Sequence, residues 1–454
     1  MSEEQEIEGR WRIPESWHWS TMGRVADVIG GGTPSTSDPL SWKGDVAWVT
    51  PADLSRYSAK SIAGGARNIT ERGLATSGAR MLPAGTILMS SRAPVGYVAI
   101  AANALSTNQG FKSFVLRGAL LPDFAYWYLK GNRDLLNEFA SGTTFPEVSG
   151  RRAAEIPVPI APIAEQGRIV AVIEEHLSDL DAAVAGLERA KLRIARLRES
   201  ILTAEFRDDT WPQARLGSIV ESGPDNGLYL PKTAYGSGTP ILRIDDYQNF
   251  WSRASSELRR VQADEATTAR YRLRVGDLVV NRVNSPSHLG KCLVVEERHV
   301  PALFESNMMR MRLDAGTDPN FVALFLRSQP GRGRLTSNAK WAVNQASINQ
   351  GDVCDTLVPL PPVDVQKEVA SRVLAQLGTA DRTAAEVDVQ CARARRLRQS
   401  ILKRAFEGKL VPQDPSEESA SALLARTSEM STAPGTKPRT RGPRSRPTAR
   451  SSNA

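Results

Sequence analysis

Apolar residues recur every seven positions along two stretches of the chain. In the first, Ile173, Leu180, Leu187, Ile194 and Ile201 form one row, with Ile169, His176, Ala183, Ala190 and Leu197 beside it. In the second, Val373, Ala380, Val387, Ala394 and Ile401 keep that spacing with smaller residues, and Leu397 stands next to them. Such a period marks helices that pack along a shared seam. Pro157, Pro159 and Pro162 exclude helix just ahead of the first row, and from Ile163 to Phe206 only Gly167 and Gly186 weaken it. The stretch therefore predicts a helix of about forty residues, roughly 60 Å long. A stripe this narrow cannot be buried against itself, so each helix needs a partner. The other copy is the simplest partner; the alternative is that each helix folds back onto its own domain. His176, on the seam, is expected to be an interface residue.

The two stretches are copies of one another. Val158-Pro-Ile-Ala-Pro162-Ile-Ala-Glu-Gln166 is matched 200 positions later by Val358-Pro-Leu-Pro-Pro362-Val-Asp-Val-Gln366. The same register lays Arg196-Leu-Arg-Glu-Ser-Ile-Leu202 over Arg396-Leu-Arg-Gln-Ser-Ile-Leu402, and Phe206 over Phe406. The segments between are related more distantly. Leu82-Pro-Ala-Gly85 parallels Leu273-Arg-Val-Gly276, each followed by an arginine (Arg92, Arg282); Met22-Gly23 parallels Leu216-Gly217, and Pro122-Asp-Phe124 parallels Pro319-Asn-Phe321. Short β-rich runs (Thr86 to Met89, Tyr97 to Ala101, Leu278 to Val280) lie between glycine and proline turns, with helices expected near Phe124 to Phe139 and Phe321 to Arg327.

The expected fold is α+β: two mixed α/β domains in pseudo-twofold repeat, separated by two long antiparallel coiled-coil helices. The boundaries read as a first domain at 1–155, a helical spacer at 156–207, a second domain at 208–355 and a second spacer at 356–412. A basic tail at 413–454, rich in Pro, Ser, Thr and Arg from about Ser419, is expected to lack order. A length of 454 residues agrees with two domains rather than one core.

Charge changes this picture little. The net charge is +8, but Lys437, Arg439, Arg441, Arg444, Arg446 and Arg450 supply six of those charges in an acid-free tail. Cys292, Cys354 and Cys391 lie too far apart for a zinc or redox motif and are expected to be reduced and structural. No run approaches the roughly 18 apolar residues of a membrane span, and the acidic start MSEEQEIEGR is unlike a secretion signal, so a cytoplasmic protein with no membrane partner is expected.

Catalytic constellations are missing. There is no Asn/Asp-Pro-Pro-aromatic string to hold a flipped adenine. Gly30-Gly-Gly-Thr-Pro34 contains a proline and leads into turn residues, and Ser285 to Cys292 lacks the leading glycine and trailing Ser/Thr of a phosphate loop. His18, His176, His288 and His299 are scattered, which leaves neither a metal cluster nor a nucleophile triad. A Glu-x-Lys at Glu407 to Lys409 lies at a helix end and not in a nuclease context. No catalytic residue, metal or cofactor is expected.

Four strings in the first domain complete the pattern: Gly31-Gly32-Thr33-Pro34-Ser35, Trp48-Val-Thr-Pro51-Ala-Asp53, Ser91-Arg92-Ala-Pro94-Val-Gly96-Tyr97 and Ser106-Thr107-Asn108-Gln109-Gly110-Phe111. Together with the domain, helix, domain, helix layout, they resemble Type I restriction-modification DNA specificity subunits across about residues 12 to 412. The second domain departs from these strings, with Asn281-Arg282-Val-Asn284-Ser285 and Ser306-Asn307 near the corresponding places. The resemblance implies two target-recognition domains, each reading one half of an asymmetric, gapped site on double-stranded DNA. It implies two copies of a methyltransferase subunit and then motor-nuclease subunits as partners, with the helices acting as a ruler. The alternative is an orphan or repurposed DNA-reading scaffold of another phage-defence complex; a methyltransferase or nuclease in its own right lacks its motifs.

Base edges are read chiefly by Arg on guanine and Asn or Gln on adenine. In the first domain the candidates are Arg92, Asn108 and Gln109, with Ser90, Ser91, Thr107, Thr143 and Thr144 able to hold phosphates. Gly31 and Thr33 belong to a glycine-rich turn that would let backbone approach DNA closely. In the second domain they are Arg243, Asn281, Arg282, Asn284, Lys340, Asn344 and Gln345.

Overall fold

The structure, a computed structural model, describes residues 10–92, 94–142, 146–207, 210–248, 251–285, 288–342 and 345–432. The chain divides into two compact units. Unit 1 takes residues 1–182 and 394–454, and unit 2 takes residues 183–393.

In unit 1, a five-stranded sheet has the order Ala26–Gly30, Phe111–Leu116, Ile87–Ser90, Val98–Ala101 and Ser61–Ile62. Beside it lies a three-stranded sheet in which Trp42–Val49 pairs antiparallel with Arg67–Ile69 and parallel with Ser106–Thr107. Unit 2 repeats that second arrangement: Tyr235–Leu242 pairs antiparallel with Arg260–Val261 and parallel with Leu303–Phe304. Its larger sheet runs Val220–Asn226, Met308–Leu313, Leu278–Asn281 and Cys292–Val294. An added three-stranded sheet is formed by Val283–Asn284, Ala346–Ser347 and Lys340–Trp341.

Paired residues confirm the repeat in atomic detail. Gly23 packs against Ala154 and Gly217 against Cys354 so closely that a Cβ on either glycine would lie 2.8 Å from the opposing Cβ. The helix expected near Phe124 is two helices, Pro122–Gly131 and Arg133–Glu138, because the chain turns at Asn132. In unit 1, Phe406 meets Phe124 and Tyr128 edge to face; in unit 2, Phe206 meets Phe321 and Phe325 in the same way.

The long helices are α1 (Ile163–Glu205) and α2 (Val363–Phe406). At 43 and 44 residues they are each about 65 Å long. Within unit 1, Ile169, Ile173 and Leu177 of α1 and Leu402, Ala405 and Phe406 of α2 enter one core, with Leu180 and Ile401 at its margin, and Arg398 pairs with Asp181 at 2.5 Å. Within unit 2, Ile194, Ala380, Val387 and Cys391 form a seam bordered by Leu187, Ala190 and Ala384. Val373 and Leu202 are buried in the unit 2 core, and Ile201 packs against it. Lys191 pairs with Asp388 at 2.7 Å, and Arg198 pairs with Asp381. Rising numbers in α1 meet falling numbers in α2, so the helices are antiparallel.

Two expectations need correction. Leu397 is not in the seam: it is 48% exposed, as Leu197 is at 51%, and His176 is exposed as well. The second buried row lies four residues after the first (Leu377, Ala384, Cys391) and not three, which turns Leu397 outward. The stretch from Ser419 is not wholly irregular either. Ala420–Thr432 forms α3, with Ala420 and Leu423 buried in the unit 1 core and the Ala420 N–H donating to the Ser16 carbonyl at 3.0 Å. Ala, Leu and Arg make this short stretch helix-forming, and the proline-rich composition begins only at Pro434. Residues 433–454, with the six tail cations, lie outside the described residues. Among the described residues, no helix is long and apolar enough to cross a membrane.

Candidate nucleic-acid interface

Three of the quoted strings of unit 1 meet at one loop cluster. Gly31 must be glycine because a Cβ there would lie 2.1 Å from the Asn108 carbonyl and 2.4 Å from that of Thr107. The close approach expected of this turn is thus made to the protein's own 107–108 backbone, and the Gly32 N–H donates to the Thr107 carbonyl at 2.9 Å. Exposed Thr33 donates its hydroxyl to the side-chain oxygen of exposed Gln109. Asn108 caps its own turn, accepting from the Gly110 N–H at 2.9 Å.

The Ser91-Arg92 loop joins this cluster through the Ser91 N–H, which donates to the Gly110 carbonyl at 2.8 Å. Ser90 and Ser91 are buried. Ser90 closes the loop by accepting from the Tyr97 N–H and donating to the Pro94 carbonyl. Thr107 is buried too, so these three residues shape the loops from behind and leave the surface to Thr33, Arg92, Asn108 and Gln109. Thr143 and Thr144 lie outside the described residues.

Arg92 faces Glu147 at 3.5 Å, and Lys112 reaches the other oxygen of the same carboxylate at 3.6 Å. Two cations thus share one anion at the rim of the cluster. Sequence reading missed both Glu147 and Lys112. The signal for Lys112 was its place in Phe111–Leu116, directly after the Asn-Gln-Gly string.

In unit 2 the candidates separate. Arg282 and Asn284 stand with Lys340 and Gln345 around the small sheet, where Val283 pairs with Ser347 and Lys340 with the same serine. The Arg282 carbonyl accepts from the Ile348 N–H at 2.9 Å, and its guanidinium donates to the Ser306 carbonyl at 3.2 Å. Lys340 and Gln345 lie on the two sides of the hairpin, beside Trp341, which is 60% exposed. That aromatic was not singled out from sequence, although it directly follows Lys340 and stands four residues before Gln345. Asn344 lies outside the described residues.

Arg243 and Asn281 are placed differently. Arg243 donates to Glu305 at 3.1 Å; burial works against its charge, but Glu305 and Asp245 outweigh it and raise its pKa. Asn281 is buried and accepts from the Tyr247 hydroxyl, whose own titration is pushed far up by burial.

Similar proteins fit this arrangement. A family profile described as the Type I restriction modification DNA specificity domain matches residues 14–190. The Type I restriction enzyme MjaIX specificity subunit of Methanocaldococcus jannaschii is 39% identical over 171 residues, covering 37% of this chain and only 39% of that protein. The EcoKI specificity subunit of Escherichia coli K12 is 25% identical over 450 residues, covering 91% of this chain and 95% of that protein. Among solved structures, a chain from a study of complex assembly in the type I R-M system matches with TM-score 0.70 at 18% identity, covering 88% of this chain and all of that one. The HsdS subunit of Thermoanaerobacter tengcongensis matches with TM-score 0.53 at 19% identity, covering 89% and 100%. The strings, the repeat and the helix pair agree with these likenesses: residues 14–190 match the Type I restriction modification DNA specificity domain, and the chain along most of its length is similar to Type I restriction enzyme specificity subunits.

Proposed function

We propose that this chain is the DNA-reading, non-catalytic subunit of a Type I restriction-modification enzyme. On this reading, segments 1–155 and 208–355 each read one half of a gapped, asymmetric target. Segments 156–207 and 356–412 are the helical spacers that set the register between the halves. Two methyltransferase subunits and the motor-nuclease subunits assemble on it and supply the chemistry, in the cytoplasm where the DNA is.

The observation that supports this reading most is the duplication of one sheet plan with different surface residues. Both units have the same antiparallel-then-parallel three-stranded sheet. Unit 1 displays Thr33, Arg92, Asn108 and Gln109, while unit 2 displays Arg282, Asn284, Lys340 and Gln345 around its added small sheet. Two copies of a scaffold with different donors and acceptors suit two different half-sites. Ser90, Ser91, Thr107, Asn281 and Arg243 act on this reading as supports of the contact loops, and Gly31 as the tight packing point beneath Thr33.

The test is to map methylated adenines genome-wide in cells expressing this chain with the methyltransferase encoded beside it. The expected result is a bipartite motif with an unspecified spacer. A single uninterrupted motif would overturn the two-headed reading. Absence of new methylation, with DNA binding retained, would favour the repurposed scaffold.

A further inference from the structure

We propose that Arg67 and Lys43 form a phosphate-holding cleft on unit 1, which grips the DNA backbone beside the bases met by the Gly31 to Ser35 and Thr107 to Gln109 loops. The inference rests on the DNA-reading function proposed above and extends the contact surface to residues outside the four strings.

The cleft is built with care. Arg67 stacks its guanidinium over two indoles, 4.7 Å from the Trp42 ring and 5.3 Å from Trp48. The tryptophans meet edge to face at 5.2 Å. A guanidinium held against two indoles is fixed in place while its N–H donors stay available to an acceptor beside it. The loop bearing Arg67 is fixed from below by Asp53, which accepts from the Ala66 N–H at 2.9 Å and from the Thr50 N–H and hydroxyl at 2.7 Å each. Burial pushes the Asp53 carboxyl up, but these hydrogen bonds outweigh it and hold the group charged below its ordinary range.

Lys43 reaches the same cleft at a cost in backbone strain. Its φ is +63°, and among the described residues no other non-glycine has a positive φ. It lies in a bulge, where the register of Trp42–Val49 against Arg67–Ile69 shifts between Trp42 and Val46. Unit 2 makes the corresponding bulge in Tyr235–Leu242 with Gly236 and Gly238, at φ +135° and +99°. Glycine would meet the geometry without strain, so a lysine there points to use of its charge.

The neighbouring chemistry fits phosphate. A cleft of about 730 Å³ is lined by Thr36, Trp42, Lys43, Arg67 and Asn68 among others, with two cations and no acid. Its counterpart in unit 2 has about 350 Å³, is lined by Asp264 and carries no cation. The cleft also adjoins the loop cluster: the Trp42 indole N–H donates to the Ser35 carbonyl and that of Trp48 to the Gly32 carbonyl, both at 3.0 Å. A strand whose bases face Thr33 and Gln109 would thus have its backbone beside Arg67 and Lys43.

The test uses the full chain with its methyltransferase subunits, and two probes: a duplex carrying the methylated motif, and a random-sequence duplex. Arg67→Gln and Lys43→Asn should each reduce the slope of log affinity against log salt by about 1 on both probes, and together by about 2, with the methylated motif unchanged. Asn tolerates a left-handed backbone, so K43N keeps the bulge and decides the matter if R67Q fails to fold. An unchanged slope in a folded variant overturns the cleft; so does a changed motif, which would mean base contact. If the unsubstituted chain yields no bipartite motif but the slopes still fall, the two-headed function is lost while the phosphate cleft stands.

Discussion

The side-chain oxygen of Gln166 accepts a hydrogen bond from the backbone N–H of Leu121 at 2.8 Å, while its amide donates to the carbonyls of Ala161 and Ala119 at 2.8 and 3.0 Å. In the second half, Gln366 accepts from the Asp318 N–H at 2.8 Å and donates to the Pro361 carbonyl at 2.7 Å. Each glutamine is buried and pins the first turn of its long helix to the start of a helix earlier in the chain, Pro122–Gly131 for Gln166 and Pro319–Arg327 for Gln366. Replacing Gln166 by Leu leaves buried backbone groups without partners and should cost about 1 to 3 kcal/mol, with Gln366→Leu costing a similar amount. Chemical denaturation checks this, and two unaffected transitions would deny the pins a role in stability.

Arg92→Ala should weaken binding by about 1 to 3 kcal/mol if the guanidinium makes a bidentate base contact. The loss should be confined to one half of the target. Titration against duplexes altered in one half at a time measures it; equal affinity and preference would remove Arg92 from the reading set.

Seven residues inserted into each long helix, in register beside the Lys191–Asp388 pair, preserve the seam because the apolar period is seven. They add about 10 Å of helix, or roughly 3 base pairs of duplex. Both half-sites should stay the same while the gap between them grows by about that amount, as methylation mapping would record. An unaltered gap would show that the helices do not set it.

His299 is buried in unit 2, where its Nδ1 accepts from the Glu296 N–H at 2.9 Å and its Nε2 lies 2.8 Å from the Ser252 hydroxyl. Burial lowers its pKa from the ordinary 6.5, against the pull of Glu296. The folded state therefore disfavours the proton that the unfolded chain takes up, and stability should fall as pH drops below about 6.5. Denaturation midpoints across that range would show it, and His299→Gln should flatten the dependence. A slope retained in the variant would place its origin elsewhere.

Much of the architecture was legible because repetition and period are properties of the chain itself. The helix expected from Ile163 to Phe206 is found at Ile163–Glu205, and Phe206 and Phe406 fill equivalent aromatic cores. The finer choice between a row three or four residues along was not legible, since Leu397 and Cys391 are both apolar and only the facing helix decides which is covered. At the candidate site, residue type marked the right loops but not which side chains face out. Ser90 and Thr107 carry hydroxyls suited to phosphate, yet backbone hydrogen bonds and burial keep them inside. Arg67 escaped notice because its significance lies in two tryptophans that are distant in sequence until the strands pair.

Unit 2 is one unbroken length of chain, whereas unit 1 draws Leu402, Ala405, Phe406, Ala420 and Leu423 into the same core as Trp17, Phe124 and Tyr128. During synthesis, the half that emerges first must therefore wait for the half that emerges last. A chain cut short between residues 394 and 401 would hold all of unit 2, while unit 1 would still lack Phe406 for its seat on Phe124 and Tyr128. The part of the molecule made first is thus the last to have a complete core.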